Sequence, residues 1–232
     1  MPWKHVRDFL DCVKSRKPTV CPAEVGHRTS TVCQLGNIGY WLRRGFAGRA
    51  AMSETFDFDT INGTTNPATG EQLETFEPLS AGEVDARIAR GAEAFERWRR
   101  TAPDERARIV ARAGDLLERR RDDYARLMTL EMGKLLTAAR DEASKCASAC
   151  RYYAEHGPRI VADERIVAGR ERGHVAYRPL GVVLAVMPWN FPFWQVIRFA
   201  APALVAGNAC LLKHASNVPQ CALALEELFT AA

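Results

Sequence analysis

No two of the seven cysteines in this 232-residue chain form a CxxC pair, which excludes the usual zinc-ribbon and dithiol-redox patterns. The odd count, with no apolar leader at the N-terminus, argues against a secreted disulfide framework; reduced thiols in a cytoplasmic protein are expected. No run approaches the ~20 apolar residues of a membrane span, so no membrane partner is expected. Charge of one sign is also scarce: 32 Lys and Arg against 28 Asp and Glu leave +4. The basic clusters Arg97, Arg99, Arg100 and Arg119-Arg120-Arg121 stand among acids at helical spacing and lack an aromatic stacking platform. They read as solvated helix faces, and no nucleic acid partner is expected. Cys146 and Cys150 are four apart on a predicted helix without a second ligand pair nearby, so no metal site is expected. What remains, 47% apolar and 26% charged residues, is the composition of a globular protein able to bury a core.

The chain is organised around Gly181–Asn217, GVVLAVMPWNFPFWQVIRFAAPALVAGNACLLKHASN. A buried strand over Val182–Val186 is expected to enter a polar corner, Met187-Pro188-Trp189-Asn190-Phe191-Pro192. An apolar helix over about Trp194–Ala206, the turn Gly207-Asn208 and a second buried strand at Cys210–Lys213 follow. Apolar runs of strand length flanking a helix predict a parallel α/β sheet covered on both faces. The right-handed crossover brings both strand ends to one rim, where ligands bind in such sheets. Asn190, Lys213 and Ser216 lie on that rim.

Upstream, Asn66-Pro67-Ala68-Thr69-Gly70-Glu71 reads as a hairpin turn with glycine where positive φ is needed. Ser80 and Glu83 have the spacing of a capping box. The helix they open is expected to bury Val84, Ile88, Ala92, Phe95 and Trp98. Pro103 suits the first turn of a second helix, whose stripe is Ile109, Val110, Ala113, Leu116 and Leu117. Tyr124, Leu127, Met128 and Leu130 mark a third helix ending near Gly133. A fourth runs from about Leu135 to His156, ahead of Gly157-Pro158. Residues 158–178 read as a hairpin of two half-buried strands, with the turn at Gly173.

PWNFP, FAAPALVAGNACLLKHAS and NPATGE together resemble the N-terminal half of an aldehyde dehydrogenase over about residues 61–232. LLKHASNVPQCALALEELF is most similar to the bacterial NAD(P)-dependent succinate-semialdehyde branch, which shares His214 where the wider family commonly has proline. The resemblance implies an incomplete Rossmann-type domain with a helical layer and a protruding hairpin. It also implies oxidation of a small aldehyde through a cysteine thiolate, with NADP or NAD as hydride acceptor. Asn190 matches the family's side-chain oxyanion donor. Met187, Pro188 and Trp189 would line the nicotinamide-ribose passage, and Lys213 and Ser216 would meet the ribose or its 2′-phosphate. Arg198 is a candidate for a substrate carboxylate. The hairpin at 158–178 would pair subunits, implying a homo-oligomer or association with a related dehydrogenase chain.

No cysteine stands in the family's Gly-Gln-x-Cys-like nucleophile context, and the general-base glutamate is expected beyond the matched part. The chain by itself is therefore expected to be inactive. The alternative is a non-catalytic fragment that associates with a full-length dehydrogenase or a complementary half. Unpaired apolar strand edges further suggest a marginal or oligomeric isolated chain.

Residues 1–51 do not belong with the dehydrogenase-like part, 52–232. They read as two helices, about His5–Arg16 and His27–Arg44, and a small-residue linker through Gly45–Ser53. Residues 1–45 resemble the C-terminal tail of Gfo/Idh/MocA-type oxidoreductases, where such helices cover a sheet that is absent here. A fusion, initiation at Met52 and a misjoined reading frame all fit this pattern.

Overall fold

The structure, a computed structural model, describes residues 63–168 and 171–232. All lie within the second of two units into which the chain divides, Ile61–Ala232. The helices and linker expected over residues 1–51 lie outside the described residues.

Strands β1 (Gly63–Thr65) and β2 (Gln72–Thr75) form an antiparallel hairpin. Its turn closes where Gly70, at φ 76°, donates its amide to the Asn66 carbonyl at 2.8 Å. The Asn66 side chain accepts from Ala68 N–H, so the NPATGE segment folds as a local turn. Helix α1 (Ala81–Trp98) opens on the complete Ser80–Glu83 capping box. Helix α2 (Pro103–Arg119) begins on its proline, and α3 (Arg121–Met132) ends at Gly133 in the left-handed region, φ 71°. The last elements are α5 (Trp194–Val205), running between strands β5 (Val182–Val186) and β6 (Ala209–Lys213), and α6 (Pro219–Ala231). Strands β5 and β6 pair in parallel with Val182 beside Ala209 and Val186 beside Lys213.

The core sits among α2, α3, α5, α6 and α4 (Leu136–Ile160), around Val110, Leu117, Met128, Phe193, Ile197, Leu225 and Leu228. Helix α4 is the central piece, with α2, α3 and α5 packed on it, and residues outside α5 hold that helix's C-terminal carbonyls. Trp98 donates its indole N–H to Leu204 O at 2.9 Å, Arg106 its Nε–H to Val205 O at 3.0 Å, and Asn208 its amide to Ala203 O at 3.2 Å. Cationic and N–H donors at this end complement the helix dipole.

Five expectations need correction. The strands β5 and β6 are not covered on both faces, since Leu184, Val186 and Leu212 are 48%, 46% and 37% exposed. Helix α1 meets the sheet at Gly91, beside Val182 and Leu211, which leaves the strand tips open. Helix α1 fully buries none of its residues, and Ile88 is 47% exposed.

The third correction concerns α4, which continues through Gly157-Pro158 to Ile160 instead of stopping at His156. Proline in the final turn forfeits few helix hydrogen bonds, and Gly157 lets the helix approach Val205 closely. The hairpin therefore starts later, as β3 (Glu164–Ala168) and β4 (Glu171–Val175), paired antiparallel. Ala168 opposes Glu171, and Gly173 lies within β4 opposite Ile166 and not at the turn. Ile166, Val167 and Val175 are 50%, 73% and 39% exposed rather than half-buried in alternation.

Candidate active site

The corner between β5 and α5 and the loop after β6 meet on one rim. Met187 N–H donates to Lys213 O at 3.0 Å, extending the strand pairing beyond Val186. Next to it, His214 bridges the two segments. Its Nδ1 accepts from Ala215 N–H at 2.8 Å, which leaves Nε2 as the protonated nitrogen donating to Pro192 O at 2.9 Å. The ring is buried. Burial holds its pKa below the ordinary value, with the Lys213 charge acting in the same direction against opposing contributions from Pro192 O and Glu142. The neutral imidazole is the form that both hydrogen bonds require.

The residues expected from sequence stand as follows. Pro188, Trp189 and Asn190 are exposed at the corner, and Met187 is partly buried against the core. Lys213 ends β6 half-buried, and burial lowers its pKa from the usual lysine range. Ser216 is exposed on the loop that follows. The fold thus brings Asn190, Lys213 and Ser216 to the same rim, as the crossover topology requires. Arg198 is exposed on α5. Phe193 is fully buried, with its ring 4.9 Å from that of Tyr124, so it is core. An open cavity of about 330 Å³ lies beside Trp189, lined also by Gly63, Thr65, Pro67, Glu131, Met132 and Asn217. Asn190, Lys213 and Ser216 are not among its lining residues.

The residues that hold this rim in place, Glu131, Lys134 and Glu142, are not among those expected from sequence. The N-cap positions of α5 and α6 are Phe193 and Val218, neither of which offers a side-chain cap. Two buried glutamates do so from a distance. One Glu142 oxygen accepts from both Phe193 N–H and Trp194 N–H at 2.9 Å, and the other is ion-paired with the Lys134 ammonium. The Glu131 oxygens accept from Gln220 N–H and Cys221 N–H, each at 2.8 Å. Both carboxylates sit on helix N-termini, where backbone donors and the dipole favour negative charge. The only trace in the sequence is that both helix starts lack Ser, Thr, Asp or Asn at the cap, a lack that α2, α3 and α4 share.

The described cysteines are poor nucleophiles. Cys146, Cys150 and Cys221 are buried and Cys210 partly so, all with free thiols. Burial pushes Cys150 and Cys210 up to about 12, and Cys146 and Cys221 higher still. Cys12, Cys21 and Cys33 lie outside the described residues. No helix among the described residues is long and apolar enough to cross a membrane.

These features can be set against known proteins. Residues 57–232 match the model of the aldehyde dehydrogenase family. A probable succinate-semialdehyde dehydrogenase [NADP(+)] of Synechocystis sp. is 53% identical over 169 residues, 73% of this chain and 37% of that protein. The succinate-semialdehyde dehydrogenase [NADP(+)] of Mycobacterium avium is 55% identical over 171 residues, 72% of this chain and 36% of its own length. The crystal structure of succinic semialdehyde dehydrogenase from Streptococcus pyogenes with NADP+ superposes with a TM-score of 0.70 at 34% identity. That overlap covers 73% of this chain and 38% of the other. The chain thus spans little more than a third of the length of these relatives. The match takes in the corner, the strand ending in Lys213 and the helical layer that anchors them, and this chain belongs to the aldehyde dehydrogenase family.

Proposed function

We propose that this chain supplies the oxyanion donor and one wall of the cofactor site for NADP-dependent oxidation of succinate semialdehyde to succinate. The observation that carries the reading is the tying of Asn190's corner to the end of β6, through Met187 N–H to Lys213 O and His214 to Pro192 O. An amide is suited to the task because it donates to a developing alkoxide without a titratable proton. The donor set after β6 fits a phosphorylated ribose: Lys213 offers a cation, Ser216 a hydroxyl, and His214-Ala215-Ser216-Asn217 contains no carboxylate. Met187, Pro188 and Trp189 would wall the nicotinamide side, and the bound dinucleotide would accept hydride.

The attacking thiol and the base that activates water are assigned to polypeptide other than the described residues. The four described thiols are held protonated by burial. Glu131 and Glu142 are committed to helix amides. The alternative, a fragment that associates without catalysing, has its support in the exposed Ile166 and Val167 of the β3–β4 hairpin. Pairing between copies through that hairpin is equally part of the proposal.

The test is NADPH formation from succinate semialdehyde, by the full chain alone and by the chain mixed with the remaining two thirds of the Mycobacterium avium relative. No turnover is expected alone, and turnover is expected in the mixture. There, Asn190→Ala should cost about 10²–10³ in kcat. Turnover by the chain alone would overturn the assignment of the thiol. An inactive mixture in which both parts are folded and associated would favour the non-catalytic alternative.

A further inference from the structure

The segment Asn190–Phe193 has no regular structure before α5, yet side chains from elsewhere grip it and the first residue of the helix at successive backbone groups. Glu142 takes the amides of Phe193 and Trp194, and His214 takes the Pro192 carbonyl. Lys134 takes the next step, donating its ammonium to the Asn190 carbonyl at 3.2 Å and lying 3.6 Å from the Phe191 ring centroid. The same ammonium is paired with Glu142, and both side chains are withdrawn from water, 10% and 1% exposed. Gly133, at positive φ, ends α3 and turns the chain directly ahead of Lys134.

We propose that Lys134, fixed by Glu142, is a positioning residue that sets the backbone from which Asn190 presents its amide; this rests on the oxyanion role given to Asn190 above. A buried ion pair offers little stability that packed apolar side chains could not match, because desolvating both charges offsets their attraction. What apolar side chains could not do is hold a carbonyl and two amides of a loop in one arrangement. The pair spans the entry to α4 and the corner, so the rigid helical layer determines where the exposed side chain of Asn190 begins. Preorganisation of this sort matters because a displacement of about 1 Å at a donor can cost about 100-fold in rate.

The test uses the full chain in the mixed assay described above, with Lys134→Met, Lys134→Arg, Asn190→Ala and the pair Lys134→Met/Asn190→Ala. Lys134→Met should lower kcat about 10- to 100-fold and leave KM for NADP+ within about twofold, and Lys134→Arg should recover part of the loss. The decisive comparison is the double variant, which should be no slower than Asn190→Ala alone if Lys134 acts through Asn190. Losses that multiply would overturn the proposal. Lys134→Met/Glu142→Gln removes both buried charges and keeps an oxygen for the Phe193 and Trp194 amides, so it serves where the single variant does not fold. Independently of activity, hydrogen exchange in the full chain should quicken at Phe193, Trp194 and Gln195 in Lys134→Met while the α2–α4 core is unchanged. Unaltered exchange there would also overturn it. If the unsubstituted mixture is inactive, the functional reading fails, and the exchange measurement alone decides whether Lys134 holds the corner.

Discussion

The Glu131 carboxylate accepts the amide hydrogen of Cys221 at 2.8 Å, with Gln220 on its other oxygen, and so caps a helix that its own sequence leaves uncapped. Glu131→Ala would strand both amides in a buried setting. A loss of about 2–6 kcal/mol in urea-unfolding free energy is expected, from about 1–3 kcal/mol for each of the two unsatisfied groups. Glu131→Gln keeps one acceptor and should lose less. An alanine variant as stable as the parent would show that the cap contributes nothing.

His214 gives a pH dependence with a definite sign. Its pKa in the fold lies below the ordinary 6.5, so below that pH the unfolded chain binds more protons than the folded one. Stability should fall as pH drops from about 6.5 towards the depressed folded value, and stay level above it. Glu83, Asp122 and Asp163 have lowered pKa values and start from ordinary carboxylate values, so they titrate well below this window. The check is a series of denaturant midpoints between neutral pH and about pH 5.5. His214→Gln should flatten the decline, and an equal slope in that variant would assign it to another group.

Thiol chemistry separates buried sites from reactive ones. Cys146, Cys150, Cys210 and Cys221 should resist iodoacetamide at about pH 8, since burial keeps each thiol protonated. Peptide mass mapping should show these four unmodified in the folded chain and modified in urea. Rapid labelling of Cys210, the one only partly buried, would contradict its placement within β6 beside Val183.

Gly157→Ala tests the close approach of α4 to α5. A Cβ at this position would stand 2.5 Å from a Val205 methyl, a distance that forces one helix to shift. A loss of about 1–3 kcal/mol is expected, as for other overpacked sites, although alanine is the better helix former. Pairing it with Val205→Ala should restore part of the loss. Thermal unfolding of the three variants decides this, and a gain in stability from Gly157→Ala alone would refute the packing.

Which parts were legible in the sequence follows from the range of the interactions. The Ser80–Glu83 box, Pro103 at a helix start and the glycines at 70 and 133 act within a few residues, and each was readable from neighbours. The strand–corner–helix–strand order, and with it the rim of Asn190, Lys213 and Ser216, was likewise readable from apolar periodicity. Burial was not. Leu184 and Val186 are as apolar as any core strand yet stand 48% and 46% exposed, because burial depends on which elements lie over a strand and not on its own residues. The end of α4 was misplaced because Gly157-Pro158 is a reliable stop in isolation, whereas here the glycine is required by Val205 across the helix interface. Glu131 and Glu142 were missed because their partners are 89 and 51 residues away, and no local pattern encodes such a pairing.

Helix α5 carries foreign clasps at both termini: Glu142 at its beginning, Trp98, Arg106 and Asn208 at its close. The loop beyond β6 and the bend after β5 are joined separately, by His214 on Pro192 O and Met187 N–H on Lys213 O, so the start of that helix and the tips of both strands share one frame.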